Sequence, residues 1–472
     1  MSIAVAAPGT VRNNPSTTEV LAAFAVEAPV DDRTVAAAVP IVLDTLAVTM
    51  AGGAEPAVQA LAGTLEPHAG AGGVPSFWSR HAYRQDDAAL LIGMASHVLD
   101  YDDVSVIAMC HPSVPVLSAL LATADRGNTS GRELLEAFAV GTEVLIRLGQ
   151  AMGFRHYGLG FHATATLGTV GAAAACARLL KLDRRQTGNA LSIAASMASG
   201  LRANFGSMVK SLHVGIAASD GRKAARLAAG GIQGAADAFD GEGFLNAFSG
   251  GTVTSWPEEV GLGTPFAILQ PGFEQKRYPC CYMLHKIIEA TLALKRETGL
   301  GLDDVEAATV DMPNGATKPL IHPYPRSGMN ALFSAPHAVV AGLSDGRIDL
   351  RSFTDDAVAR PGIQGRLHDV AVVEDTAAPK QGAEVGAAPV TVTLRPKSGA
   401  AVSRTVTALP GSPQDPITPE QALAKWTDCL SRANPDADPQ AVSRLFDEGR
   451  GLAAAPDIAG WLGRLAEVAR RD

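Results

Sequence analysis

Four short runs of this chain set a titratable or cationic side chain immediately ahead of a segment with helical spacing. The first is Ser96-His97-Val98-Leu99-Asp100-Tyr101-Asp102-Asp103, leading to Cys110-His111-Pro112-Ser113-Val114-Pro115. The second, Gly158-Leu159-Gly160-Phe161-His162-Ala163-Thr164, opens an Ala-rich stretch. The third is Asn204-Phe205-Gly206-Ser207-Met208-Val209-Lys210-Ser211-Leu212-His213. The fourth, Lys276-Arg277-Tyr278-Pro279-Cys280-Cys281-Tyr282-Met283-Leu284-His285, feeds an amphipathic segment through Leu284, Ile287, Ile288 and Leu292. A helix start offers unpaired N–H groups and the positive end of the dipole, so it attracts anions. The same potential favours neutral imidazole over imidazolium and thiolate over thiol. If these ends converge with Lys210 and Lys276, they form a positive pocket for a small carboxylate, with a histidine moving the proton.

Taken singly, each group also has a plainer reading. A lone histidine such as His162 is an ordinary packed or solvated residue, and Asp100, Asp102 and Asp103 are helix-end or loop acids. Cys280 and Cys281 are adjacent rather than spaced C-x-x-C, which makes a poor zinc site, and no motif has metal-ligand spacing. Cys176 reads as core. His322 and His337 are surface residues or lid contacts. Gly158 and Gly160 lack the third glycine and the preceding strand of a dinucleotide fingerprint.

The elements that must position these groups come in two kinds. From Thr17 to about Pro271 the periodic segments have helical spacing: Val35–Met50, Ala88–Leu99, Pro115–Thr123, Glu133–Leu148 and Thr166–Leu180. Between about Gly299 and Leu409 the period falls to two. Val390–Leu394 and Ser403–Thr407 flank Lys397-Ser398-Gly399 as a hairpin, with Ala307–Met312 and Val370–Val373 as further strands. Helical spacing returns after Pro410, where Thr418-Pro419-Glu420-Gln421 is a capped helix start. The expected fold is mainly α: a flexible arm over 1–16, a large all-helical domain from 17–272 plus 411–472, and an inserted smaller α/β lid domain over 273–410. The cleft between the two parts is the expected ligand site.

Composition narrows the partners. The chain has 472 residues and is 47% hydrophobic, which excludes whole-chain disorder. The net charge of −9, with no clustered Lys/Arg stripe, argues against nucleic acid. Five cysteines are too few and too odd in number for a disulfide framework and fit a reducing compartment. The first residues, MSIAVAAPGTVRNNPS, lack the pattern of a signal peptide, and Phe161–Ala177 is too short and too rich in small residues for a membrane span. A cytoplasmic protein without membrane partners is expected.

Taken together, the runs A-x-H-x-x-D-x-D-D, H-P-S, G-x-H-x-T-x-T-x-G, G-x-x-x-K-x-x-H and K-x-x-P-C resemble the MmgE/PrpD family over roughly residues 20–460. That family includes 2-methylcitrate dehydratase, cis-aconitate decarboxylase and iminodisuccinate epimerase. The resemblance implies a helical domain with a smaller α/β lid, a homodimer, and neither metal nor organic cofactor. It implies catalytic roles for Asp100, His111, His162, Lys210 and Lys276, with His213 and His285 at motif positions that contact substrate. The chain departs from the decarboxylase-like pattern at three places. Val104 and Ser105 follow the acidic run, Cys281 stands where those members have His, and Pro319 falls where they have Tyr. His322, Tyr324 and Arg326 are the candidate replacements for that tyrosine. These departures argue against cis-aconitate decarboxylation, and the Pro279-Cys280-Cys281 run is closer to the epimerase-like branch.

The chemistry such a site implies is the making or quenching of a carbanion beside a carboxylate. Lys210 and Lys276 stabilise the growing charge, His162 or His111 moves the proton, and Asp100 orients an imidazole. The expected function is a cofactor-free lyase of the dehydratase type on a methylcitrate-like di- or tricarboxylate, with Ser105 and His322 as further substrate contacts. The alternative is an epimerase of an iminodisuccinate-like diacid, in which Cys281, as a thiolate, is the second acid/base group. A non-catalytic polycarboxylate-binding homologue is the third reading.

Overall fold

The computed structural model describes residues 15–70, 72–125, 127–377, 388–409 and 411–471. Most of the expected arm, residues 1–14, lies outside them. Ser16 does not belong to an arm: it caps the first helix, Thr17–Glu27, in a reciprocal capping box with Glu19.

The centre of the fold is the helix Ala163–Leu179, in which every residue from Ala163 to Ala177 is buried. Alanine, glycine and threonine fill it because the flanking helices Ser113–Thr123, Gly131–Gly158 and Met208–Ala229 all pack against it closely. A Cβ at Gly171 would sit 2.7 Å from the Gly141 carbonyl oxygen, and one at Gly221 would sit 2.5 Å from that of Thr169. Either side chain would force the helices apart, and interiors packed to crystal density do not absorb such a shift cheaply. The small residues therefore set the spacing of the helices that carry the site.

The expected helices are all present and mostly longer than their apolar stripes: Asp32–Gly52, Gln85–His97, Ser113–Thr123, Gly131–Gly158 and Ala163–Leu179. The longest bends at Gly153, whose φ of 58° is outside the helical range. One expectation fails. Helical structure does not run on to Pro271, because between residues 230 and 271 the only α-helix is the six-residue Phe244–Ser249. Among the described residues one helix, Asp32–Gly52, is long and apolar enough by composition to cross a membrane, and 78% of its apolar window is buried inside the protein.

The strands form one four-stranded sheet in the order 370–375, 305–313, 390–396, 402–406. The expected hairpin is there: Val390–Pro396 pairs antiparallel with Val402–Val406, and Gly399 in the turn has a φ of 99° that suits glycine. Val305–Pro313 runs parallel to Val370–Asp375, and the long connection between them carries the helix Ala335–Asp345. One face of the sheet, through Val310, Met312, Val392 and Leu394, buries itself with the helices His285–Thr298 and Ala335–Asp345. A two-stranded hairpin at Val74–Pro75 and Ala82–Tyr83 was not among the expected elements.

Two apolar clusters result. One gathers residues from Leu21 to Phe273 and from Trp426 to Ala469, with Leu350 joining from between; the other gathers Tyr278 to Leu394. The chain thus leaves the first cluster near Phe273 and returns with the helix Pro419–Ala433, capped by Thr418 and Gln421 as its sequence indicates.

Candidate active site

A cavity of about 140 Å³ is lined by residues from all four sequence runs, among them Asp100, His111, His162, Lys210, Lys276 and Cys281. Short backbone pairings bring them together. The bridge between Val104 and Glu274 sets the acidic run beside Lys276. The bridge between Phe161 and Leu201, with hydrogen bonds His162 N–H to Gly200 O (3.0 Å) and Arg202 N–H to Gly160 O (2.8 Å), holds the second run against the approach to the third. His111 donates its N–H to Thr164 Oγ1 at 3.0 Å.

Asp100 is the hub. Its Oδ1 lies 2.7 Å from Lys276 Nζ, 3.0 Å from Lys210 Nζ and 3.6 Å from His111 Nε2. Lys276 Nζ also donates to the Asp100 carbonyl at 2.7 Å. Burial would raise the Asp100 carboxyl, but the charges of Lys210, Lys276 and His111 hold it well below the usual carboxylate range. Burial also works against the Lys276 ammonium, and Asp100 and Asp102 outweigh it, so its pKa rises. Asp100 adopts a φ of 49°, a strained conformation for a residue with a Cβ, and these ion pairs hold it there.

A second carboxylate backs the first. Asp102 accepts from His97 Nδ1 at 2.8 Å, and His111 Nδ1 approaches it to 3.1 Å without hydrogen-bond geometry. Burial would raise Asp102, yet His111 and His97 keep it well below the usual range. Burial lowers His97 to about 4, so its imidazole is neutral, with Nδ1–H committed to Asp102 and Nε2 bare. His162 is likewise driven well below 6.5, first by burial and then by its cationic neighbours. Its Nδ1 meets His213 Nδ1 at 3.1 Å, and its Nε2 is buried with no partner. A neutral imidazole nitrogen without a partner is free to receive a proton, while burial and the nearby Lys210 charge keep it a weak base.

The fold gathers what the sequence spacing did not show: His97, Asp100, Asp102 and His111 hold ligand-type atoms within 4.8 Å of one another. Two ammonium groups already share Asp100 Oδ1, and their positive charge beside the cluster makes the donor set poorly suited to a metal ion.

Several expected roles need correction. Cys281 lines the cavity but is no thiolate: burial and the Asp100 charge push its thiol up to about 11, and Lys276 does not compensate. The helix expected to start at Cys281 begins only at His285, after a 3₁₀ turn at Tyr282–Leu284. Ser105 is buried in a backbone bridge with Cys110 and is absent from the wall. His285 is buried against Tyr278 and Tyr282, and burial lowers it to about 3. His213 stands behind His162. His322 lies 3.4 Å from Asn330 Nδ2, off the wall, and His337 is fully buried, with Nε2 bonded to Ser352 O. Pro319 does line the cavity, whereas Tyr324 and Arg326 do not. The wall residues not foreseen include Tyr157, Arg202, Phe205 and Phe333. Arg202 lies two residues ahead of the third run, a cation close enough to a singled-out motif to have been noticed.

Behind the site, Lys425 from the returning helix pairs with Asp44 Oδ1 at 2.8 Å. Its Nζ also donates to the carbonyls of Tyr101 and Lys276, each at 2.9 Å. It ties the two loops that carry Asp100 and Lys276 to the helix Asp32–Gly52.

The buried histidines make stability depend on pH. His97, His162, His285 and His337 are all depressed by burial, so each contributes stability that is complete above about 6.5 and lost as pH falls through its folded value. Asp103 acts oppositely. Burial raises it to about 8, so its contribution is present below its unfolded value and lost as pH rises through 8. His156 and His213 are lowered as well, and Asp44, Glu274 and Asp428 are raised as Asp103 is, so six histidines stand against four carboxyl groups, each contributing up to about 1.4 kcal/mol per pH unit. Urea unfolding is expected to show markedly lower stability at pH 5 than at pH 7, and equal stabilities would refute it.

The framework is mainly helical and buries two ammonium groups on one carboxylate, beside unpartnered imidazole nitrogens. Residues 19–256 match the MmgE/PrpD N-terminal domain and residues 278–447 the MmgE/PrpD C-terminal domain. The chain belongs to the MmgE/PrpD family. It is similar to the cis-aconitate decarboxylase of Homo sapiens, 32% identical over 293 residues that span 60% of this chain and 60% of that protein. The Mus musculus enzyme of the same name is 32% identical over 62% of each chain. A cis-aconitate decarboxylase-like protein, oryM, of Aspergillus oryzae is 26% identical over 89% of this chain and 90% of its own. The matches to the two mammalian enzymes thus span about 60% of those proteins' length.

Proposed function

We propose that this protein is a lyase that acts on a small di- or tricarboxylate by stabilising carbanion character beside one carboxylate. The observation that carries this reading is Asp100 Oδ1 shared by Lys276 at 2.7 Å and Lys210 at 3.0 Å, in one cavity with His162. Two ammonium groups converge on Asp100, with Asp102 set behind it among the imidazoles, so cationic donors are fixed in place before any substrate arrives. Charge that grows on a substrate carboxylate during proton transfer is stabilised there without reorganisation. In the tautomer that gives Nδ1–H to His213, His162 has Nε2 open to take the proton; His111, between Asp100 and Asp102, is placed to return one to a departing group. Residues 273–410 would act as the lid over this cavity.

The names of the relatives support a lyase acting on a tricarboxylic acid. Within that class we favour loss of water from a methylcitrate-like hydroxy acid, because Cys281 and Pro319 stand on the wall where decarboxylase-like members carry His and Tyr. The epimerase alternative loses its best argument, since a thiol pushed up to about 11 is a poor base near neutrality. Cys281→Ser is accordingly expected to keep turnover within a few-fold of the unaltered enzyme; complete loss of exchange from one face of the substrate would revive the epimerase. Incubation with 2-methylcitrate, citrate and cis-aconitate in deuterated water, followed by NMR, tests the proposal. Alkene formation with loss of water supports it, loss of CO₂ keeps the lyase but changes the leaving group, and inversion alone points to an epimerase. Absence of both exchange and product with all three acids would remove the lyase reading.

A further inference from the structure

We propose that Arg202 reads a second carboxylate of the substrate, so that the cavity selects acids carrying carboxylates on two separate carbons. This rests on the reading of the cavity as a carboxylate site. Lys210 and Lys276 are both engaged with Asp100, whereas Arg202 lines the same cavity and has no carboxylate partner among the described residues. Its guanidinium is held rigidly. Nη1 donates to the Tyr157 carbonyl at 2.7 Å, and Cζ lies 3.7 Å from the centre of the Tyr157 ring. Nε is buried with no hydrogen-bond partner, so a donor has been desolvated without compensation. Leaving such a group unmet is costly, and a ligand that meets it recovers the cost. With Nη1 occupied, the edge formed by Nε and Nη2 is the one left to receive a carboxylate through two parallel hydrogen bonds.

Position supports the assignment. The backbone pairing of 160–162 with 200–202 fixes Arg202 relative to His162, so the group that reads one end of the acid and the group that moves the proton share a single short ladder. The Phe205 ring sits among the charged groups. Its centre is 6.0 Å from Arg202 Cζ, 5.4 Å from Lys210 Nζ and 5.0 Å from the His162 ring centre. Two positive centres about one aromatic ring suit a compact acid with one carboxylate at each.

The test is calorimetric binding of tricarballylate and of butyrate to the whole protein and to Arg202→Met and Arg202→Lys. Arg202→Met is expected to weaken tricarballylate by about ten- to a hundredfold, the loss of a charged, two-point contact, while changing butyrate little. Arg202→Lys, which keeps the charge but not the fork, is expected to fall between and carries the test if the Met variant does not fold. Unchanged tricarballylate affinity in both variants, or equal weakening of both acids, overturns the proposal alone. Failure of the unaltered protein to bind tricarballylate overturns it together with the reading of the site.

Discussion

Replacing Lys276 by methionine is expected to lower kcat by a factor on the order of 10²–10³, the usual loss when one preorganised donor aimed at developing charge is removed. Lys210→Met is expected to cost a similar factor. The two differ in what else they touch. Lys276 is essentially fully buried and binds both the carboxylate and the carbonyl of Asp100, so it also holds the strained turn at that residue. Among the described residues Lys210 has only the Asp100 carboxylate as an ion-pair partner, so its removal leaves the two Lys276 contacts to hold the turn. Burial pushes Asp100 up and the lysines with His111 hold it down; losing either lysine therefore moves the acid limb of the pH–rate profile to higher pH. Kinetics across pH 4–8 on variants with an intact near-ultraviolet dichroism spectrum would measure both effects. Near-unaltered kcat in both would move the chemistry away from Asp100.

The second large effect is on stability. Lys425→Met is expected to destabilise the protein by about 3–5 kcal/mol, because it leaves Asp44 as an uncompensated charge in the interior. Burial already raises the Asp44 pKa, and Lys425 is what opposes it. The two loop carbonyls that Lys425 serves, those of Tyr101 and Lys276, lose their donor as well. Changing Asp44 to Leu together with Lys425→Met removes the stranded charge, and much of the stability is expected to return. Activity should return less, since the Asp100 and Lys276 loops, still joined by the Lys276–Asp100 contacts and the Val104–Glu274 bridge, then lose their tie to the helix Asp32–Gly52. Urea unfolding and turnover on the single and double variants separate the two. A single variant as stable as the unaltered protein would show the pair to be dispensable.

Local pattern determined a good deal of this protein without any structure. The long helices followed from apolar spacing, the hairpin at 390–406 from period-two alternation about Lys397-Ser398-Gly399, and the last helical segment from the Thr418–Gln421 cap, because each rests on interactions within a few residues. Five candidate site residues were legible by another route: the resemblance of the motifs to a known family implied roles for Asp100, His111, His162, Lys210 and Lys276, and the fold lines one cavity with all five. What the chain order could not carry is who meets whom. The parallel pairing of 305–313 with 370–375, the clamp of Lys425 on two distant loops, and the placing of Arg202 beside His162 all join segments that no local rule connects. Protonation followed the same division. The expected helix start at Cys281 and Lys276 five residues before it suggested a thiolate, but pKa values are set by burial and by charges in three dimensions, and burial with Asp100 beside it keeps that thiol neutral. Sequence determined which groups were available; tertiary burial decided which of them are charged, paired or bare.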